Sequence, residues 1–159
     1  YENLDGQSTF EGYELSFRHS IGESLSFHAS YTHLSRFEDK NGKDLARRPK
    51  EEIKGGIEYY GIDRLHIALD TYYVGTRYDQ ADQKGTQTGR YTLFNAVANY
   101  EFSPTLTFYG KIDNLTDTYY QNVEGYTTSP RGWYVGMKGS FWYGLPSSWL
   151  CRLQCLPNR

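Results

Sequence analysis

Apolar and polar residues alternate with period two along most of this chain. Between Leu25 and Thr32, Leu25, Phe27, Ala29 and Tyr31 share one parity, and Ser26, His28, Ser30 and Thr32 share the other. Leu65, Ile67, Leu69, Thr71 and Tyr73 repeat the pattern against His66, Asp70 and Tyr72. Leu106, Phe108, Gly110 and Ile112 do so against Thr107, Lys111 and Asp113. Side chains on a strand alternate between two faces, so each segment predicts a strand with one oily and one wet side. Two architectures satisfy this pattern. A soluble sandwich turns its oily faces inward, and a membrane barrel turns them outward to lipid.

Seven strands are predicted, over Thr9–His19, Ser24–Arg36, Glu51–Tyr60, Arg64–Thr76, Arg90–Phe102, Thr105–Leu115 and Trp133–Phe141. Most have the roughly 9–11 residues that a tilted membrane-spanning strand requires. The connections alternate in length. Ser20–Glu23, Gly61–Asp63 and Ser103–Pro104 are short turns, whereas Phe37–Lys50, Arg77–Gly89 and Thr116–Gly132 are long. Short turns at one end and long loops at the other are the layout of an outer-membrane barrel. A sandwich has no reason to gather its long loops at one end. Charge follows the same parity. Glu14, Arg18, Arg36, Lys54, Glu58, Asp70, Lys111, Asp113 and Lys138 fall on the wet face. The oily face reads Tyr13, Leu15 and Phe17, then Ile53, Ile57 and Tyr59, then Phe94, Ala96, Ala98 and Tyr100, then Val135, Met137 and Phe141. A Lys or Arg at the bilayer midplane costs about 2–4 kcal/mol, so lipid enforces this segregation. A packed soluble core enforces it as well, but needs a second apolar layer. No helix or spare sheet for that layer is read in the chain.

Composition adjusts this picture only slightly. The 159 residues suit one domain, and a net charge of −2 gives no steer toward nucleic acid. Mean hydropathy is −0.73, which a barrel tolerates because half of every strand and all loops are polar. Sixteen Tyr, eight Phe and three Trp suit either membrane interfaces or ordinary strands. The chain begins at Tyr1 rather than Met and carries no signal peptide, so a fragment or processed chain is expected.

Residues 111–141 carry a family pattern. Lys111-Ile-Asp-Asn-Leu-Thr-Asp-Thr-Tyr-Tyr120 is followed by Gly125-Tyr-Thr-Thr-Ser-Pro-Arg-Gly-Trp-Tyr-Val-Gly-Met-Lys-Gly-Ser-Phe141. This resembles the C-terminal end of TonB-dependent outer-membrane receptors, and Thr9–Phe17 and Leu45-Ala-Arg-Arg-Pro49 also look like segments of that family. The resemblance spans residues 1–141 and is greatest to receptors for iron–siderophore complexes and vitamin B12. It implies an all-β fold, in which these strands form the C-terminal part of a 22-stranded barrel in the outer membrane of a Gram-negative bacterium. It also implies an N-terminal plug, absent here, that engages the TonB complex. The implied partners are the lipid bilayer, the barrel-assembly machinery and a metal-chelate ligand. The last strand resembles an assembly signal through Gly136 and Phe141, although Gly139 stands where a large apolar residue is usual. Residues 142–159 lack the strand period and contain Cys151 and Cys155 without neighbouring His or carboxylate ligands. They are expected to be a tail foreign to the family, from read-through, a frameshift or added sequence.

Few residues suggest chemistry. His19, His28, His33 and His66 share no ligand spacing, and His28 and His66 are read as polar lining of the wet face. Asp39-Lys-Asn-Gly-Lys-Asp44 begins like a calcium loop but has Lys50 where the twelfth position requires Glu. Asp79 and Asp82 offer two carboxylates to a calcium site in a long loop, but two carboxylates in a polar loop are normally just solvated. No catalytic, nucleotide-binding or metal motif is found, and neither an enzyme nor a cofactor is expected. Ligand contacts are expected from the loops: Tyr78, Tyr119, Tyr120 and Tyr126 to pack a bulky chelate, and Arg131 to pair with its carboxylate or phosphate oxygens. Packing between loops accounts for the same residues. Three functions remain: a transport receptor, a structural or adhesive barrel, and a soluble sandwich that binds sugar or protein.

Overall fold

A computed structural model describes residues 7–140. Phe141 and the 142–159 tail lie outside the described residues. Seven strands form one antiparallel sheet in the order of the sequence: β1 (Thr9–Ile21), β2 (Leu25–Glu38), β3 (Glu51–Ile62), β4 (Leu65–Val74), β5 (Tyr91–Ser103), β6 (Leu106–Asp113) and β7 (Gly132–Gly139). Each strand contacts only its sequence neighbours. Among the described residues only Phe37, Val74 and Tyr91 are buried apolar side chains. Leu15, Phe17, Ile57, Leu69, Phe108, Val135 and Met137 all lie open on the sheet. A soluble sandwich would bury these residues in a second layer. The sheet has no such layer, and its oily face is therefore the face that meets lipid.

The register shows how this face sits in a bilayer. Trp133 is aligned across the sheet through Ile112, Ala96, Leu69, Ile57 and Phe27 with His19. Trp133 stands at the loop end of β7, whereas the first aromatic of oily-face parity at the loop end of β1, Tyr13, is six residues from His19. Six residues span about 20 Å, and six strand spacings span about 29 Å. A line through the two aromatics is thus inclined to the register by about 35°, which lies at the low end of strand tilts in outer-membrane barrels.

Predicted and observed strands differ where local geometry intervenes. β6 stops at Asp113 because Asn114 adopts a left-handed conformation (φ 53°) and its side chain bonds to the loop: Nδ2 donates to Thr118 O (2.9 Å) and Oδ1 accepts from Thr118 N (2.9 Å). β5 starts at Tyr91 because Arg90 is left-handed (φ 66°). Arg36 does not keep its predicted place on the wet face. Gly12 pairs with Leu34 but Glu11 pairs with Arg36, so Ser35 is an extra residue and the parity reverses beyond it. Arg36 thereby joins the oily-face parity above Tyr13. There Glu11 (3.6 Å) and Glu38 (2.8 Å) neutralise it, beyond the apolar band.

On the wet face, polar side chains bridge adjacent strands. His28 on β2 reaches Asp70 on β4 (3.5 Å) across Gly56, which lies between them in the register. His66 approaches Glu58 (3.3 Å), accepts at Nδ1 from Asn99 Nδ2 (3.3 Å), and stacks on Tyr60 with 4.5 Å between ring centres. A Cβ at Gly56 would lie inside contact distance of both the His28 ring and the Asp70 carboxylate. Gly56→Leu should therefore separate this pair and destabilise the folded barrel by about 1–3 kcal/mol. The check is the urea midpoint of refolded receptor, compared with Gly55→Leu, whose Cβ meets only ordinary contacts.

Candidate functional site

The long connections lie at one end of the sheet: L1 (39–50), L2 (75–90) and L3 (114–131). L1 begins with a turn that its sequence encodes. Asp39 Oδ1 accepts from the backbone N–H of Asn41 (2.8 Å) and of Lys43 (2.9 Å). The Lys43 N–H, more than any other group, holds the Asp39 carboxyl below its ordinary value. The segment that begins like a calcium loop is thus a side-chain-capped turn.

L2 holds the other two loops. Toward L1, Arg47 Nε donates to Asp79 Oδ1 (2.7 Å), Arg47 N donates to Tyr78 O (2.8 Å), and Gln83 Nε2 donates to Asp44 Oδ2 (2.7 Å). Toward L3, Arg77 Nη2 donates to Asn122 Oδ1 (2.8 Å) and Gln121 O (3.3 Å), and Thr86 bonds to Glu124. The Glu124 N–H also reaches Asp79 Oδ1 (3.4 Å), so Asp79 accepts from both neighbouring loops. Tyr91, at the start of β5, stacks on Tyr120 of L3 at 4.7 Å between ring centres, and its hydroxyl meets Asn122 (3.1 Å). The three loops thus form one connected cap over the open end of the sheet.

The five residues chosen from sequence fall at different places in this cap. Tyr78 is half-buried beside L1, and Tyr120 is half-buried against Tyr91. Tyr119 and Tyr126 are 74% and 73% exposed, and the Tyr119 hydroxyl accepts from Gln121 Nε2 (2.7 Å). Arg131 closes the base of L3, where its backbone N–H donates to Asp117 Oδ1 (2.9 Å) and its Nη1 to Leu115 O (3.4 Å). Its guanidinium also lies over the Trp133 ring at 5.9 Å. Tyr78 meets Arg47 through the backbone alone, its carbonyl accepting from the Arg47 N–H (2.8 Å). Asp79, read from sequence as solvated, is instead held by Arg47 and the Glu124 N–H, and sequence reasoning missed Arg47, Arg77 and Asn122. Their partners are 32 to 45 residues away, and no local spacing encodes them.

The Arg47–Asp79 pair makes the cap sensitive to acid. Arg47, the largest influence, holds the Asp79 carboxyl below its ordinary 3.8, with the Glu124 N–H assisting. A lowered folded value means that this stabilisation is fully present above about the ordinary 3.8 and is lost as pH falls through the lowered value. Hydrogen exchange in L1 and L3 should therefore be unchanged between neutral pH and pH of about 5, after correction for intrinsic rates, and accelerate only in stronger acid. Asp79→Asn should remove that acid-dependent step.

A lipid-facing meander with its long loops interlocked at one end defines a portion of an outer-membrane β-barrel. The chain belongs to the TonB-dependent receptor-like β-barrel family, whose description matches residues 1–115. Its place is accordingly the outer membrane. It is 25% identical over 145 residues to the vitamin B12 transporter BtuB of Vibrio cholerae, covering 89% of this chain and 23% of that protein. The structure of the siderophore receptor PirA from Acinetobacter baumannii superposes with a TM-score of 0.73 at 18% identity, over 84% of this chain and 22% of PirA. The ferric-catecholate import receptor Fiu of E. coli K12 superposes with a TM-score of 0.68 at 24% identity, over 88% of this chain and 23% of Fiu. The chain thus spans less than a quarter of the length of these relatives.

Proposed function

We propose that this chain forms the C-terminal barrel strands of a 22-stranded receptor that imports a metal chelate, an iron–siderophore complex or a cobalamin, across the outer membrane. Family membership is the observation that carries this reading. The loop cap supports it, because a receptor needs an ordered mouth on the side where its ligand arrives. In this reading Tyr78, Tyr119, Tyr120 and Tyr126 present aromatic surface to the chelate, and Arg131 holds L3 in place while offering its charge. Gly136 and Phe141 serve recognition by the barrel-assembly machinery, residues 142–159 lie outside the barrel, and a plug outside this chain engages the TonB complex. The reading includes no enzymatic step.

The test is complementation. The full receptor gene containing this chain is expressed in a strain lacking its own siderophore and cobalamin receptors. Growth is scored on a panel of ferric siderophores and on cobalamin under limitation. Energy-dependent growth on one chelate is expected. A correctly assembled receptor that supports uptake of none would favour the structural or adhesive barrel.

A further inference from the structure

The tip of L1 carries the one Asn-Gly pair of the chain, Asn41-Gly42. Both residues are exposed. They close a short hairpin in which Glu38 and Asp44 are bridged, Asp39 N donates to Lys43 O (2.9 Å) and Gly42 N donates to Asp39 O (3.0 Å). Gly42 sits in the left-handed region (φ 74°), which glycine adopts without steric cost. The same missing Cβ leaves its backbone nitrogen unshielded.

Asparagine is a chemically labile residue, and its weak point is the side-chain amide carbon. The backbone nitrogen of the following residue can attack that carbon once the two are brought together. In the closed turn Asp39 opposes this at three points. Its Oδ1 accepts from the Asn41 N–H (2.8 Å), and its Oδ2 accepts from Asn41 Nδ2 (3.4 Å), the nitrogen that must leave. Its carbonyl accepts from the Gly42 N–H (3.0 Å), the proton that the attacking nitrogen must lose. Oδ1 also accepts from the Lys43 N–H (2.9 Å) and so ties both arms of the tip to one carboxylate. These bonds lie at an exposed loop tip, where local opening costs little free energy. Opening of the turn, rather than access of water, therefore limits the reaction.

We propose that Asn41 is a self-modification site, converted to aspartate and isoaspartate through a cyclic imide with Gly42, and that Asp39 is the positioning residue that sets its rate by holding the turn closed. The Gly42 nitrogen gives its proton to solvent and bonds to Asn41 Cγ. The Cγ–Nδ2 bond breaks, and Nδ2 takes up a proton and leaves as ammonia. Water then opens the imide at either carbonyl, and nothing is oxidised or reduced. The isoaspartate product carries an extra methylene in the main chain, so Asp39 Oδ1 no longer fits both the position-41 and the Lys43 N–H. Either product places a second carboxylate beside Asp39, and like charges repel. The tip loosens next to Asp44, which accepts from Gln83 Nε2 and from Asp82 N of L2. The proposal does not depend on the transport reading.

The experiment uses the full receptor containing this chain, folded in detergent and, in parallel, unfolded in urea. Both are held at mildly alkaline pH. Mass spectrometry of the peptide containing Asn41 reads the amide-to-acid change, and enzymatic methylation distinguishes isoaspartate from aspartate. Slow conversion at Asn41 is expected in the folded receptor and faster conversion in urea. Asp39→Ala should raise the folded rate about tenfold, the effect of losing one hydrogen bond to a charged group, and leave the rate in urea unchanged. Asp39→Asn, whose amide oxygen still accepts from both N–H groups, should give an intermediate rate. Asn122 is the internal reference: it is also exposed, but it precedes Val123 and accepts from Arg77 and Tyr91, and it should stay unconverted. Heat-modifiable migration confirms that each variant is folded. A folded receptor that keeps Asn41 intact while the urea sample converts would overturn the modification site. Equal folded rates in wild type and Asp39→Ala would overturn the part given to Asp39. Neither readout involves chelate uptake, so failure of the transport reading leaves this result unchanged.

Discussion

Leu69→Arg should abolish assembly of the receptor that contains this chain, whereas Ser30→Lys should leave assembly nearly intact. Leu69 lies midway along β4, paired with Ile57 on one side and Ala96 on the other, and is 40% exposed. Nothing in the sheet covers it, so lipid must. An Arg near the bilayer midplane of a barrel costs about 2–4 kcal/mol, because its charge must be drawn toward the headgroups or hydrated in place. Ser30 is central on β2 but has the opposite parity, between Ser16 and Lys54. A lysine there meets water and a polar lining, and its repulsion from Lys54 across the pair costs about 0.2–1 kcal/mol, well below the cost of Leu69→Arg. Heat-modifiable migration and urea midpoints in lipid vesicles separate the outcomes. Equal losses in both variants would mean that both faces are packed, and a reversed order would mean that the oily face lines the interior.

The contrast between those two residues was legible in the sequence, because lipid acts on every outward position of every strand. Period-two alternation is therefore written many times over, and the strand count and order of neighbours follow from it. Features that occur once left no such trace. The Ser35 insertion reverses the parity of Arg36 with no glycine or proline on β2 to mark it; the one glycine at the bulge, Gly12, stands across on β1. The cap depends on pairs such as Arg47–Asp79 and Arg77–Asn122, whose members come from different loops. Asp39 shows the other limit: its turn rests on Asn41 and Lys43, within four residues, yet its acidic, glycine-containing segment is weighed from sequence only as a metal loop. Of the ligand residues expected from sequence, the tyrosines were chosen for residue type. Type alone does not separate Tyr126, open to solvent, from Tyr120, which is half-occupied by Tyr91.

Expressed by itself, the 159-residue chain should neither span a bilayer stably nor transport. Within the described residues β1 pairs only with β2, and β7 only with β6, so both outer edges carry backbone groups without partners. In hydrocarbon each unpaired N–H or C=O costs several kcal/mol, and an open edge repeats that cost at every other residue. β1 has 13 residues and β7 has eight, so the sum far exceeds what lipid contact with the oily face returns. Closing seven strands on themselves offers no escape. Such a barrel would be narrower than the eight-stranded kind, whose interior is only just filled by side chains. Here the wet face would have to pack Arg18, Lys54, Glu58, Asp70 and Lys111 into that space. In water the same sheet exposes Phe17, Ile57, Leu69, Phe108 and Val135 along one face and should aggregate. The measurement is protease resistance and heat-modifiable migration of the chain produced alone, set against the same residues within the full receptor. Protection only in the full receptor is expected. A compact, protease-resistant monomer from the isolated chain would show that its edges find partners within these residues, and the barrel-segment interpretation would fall with them.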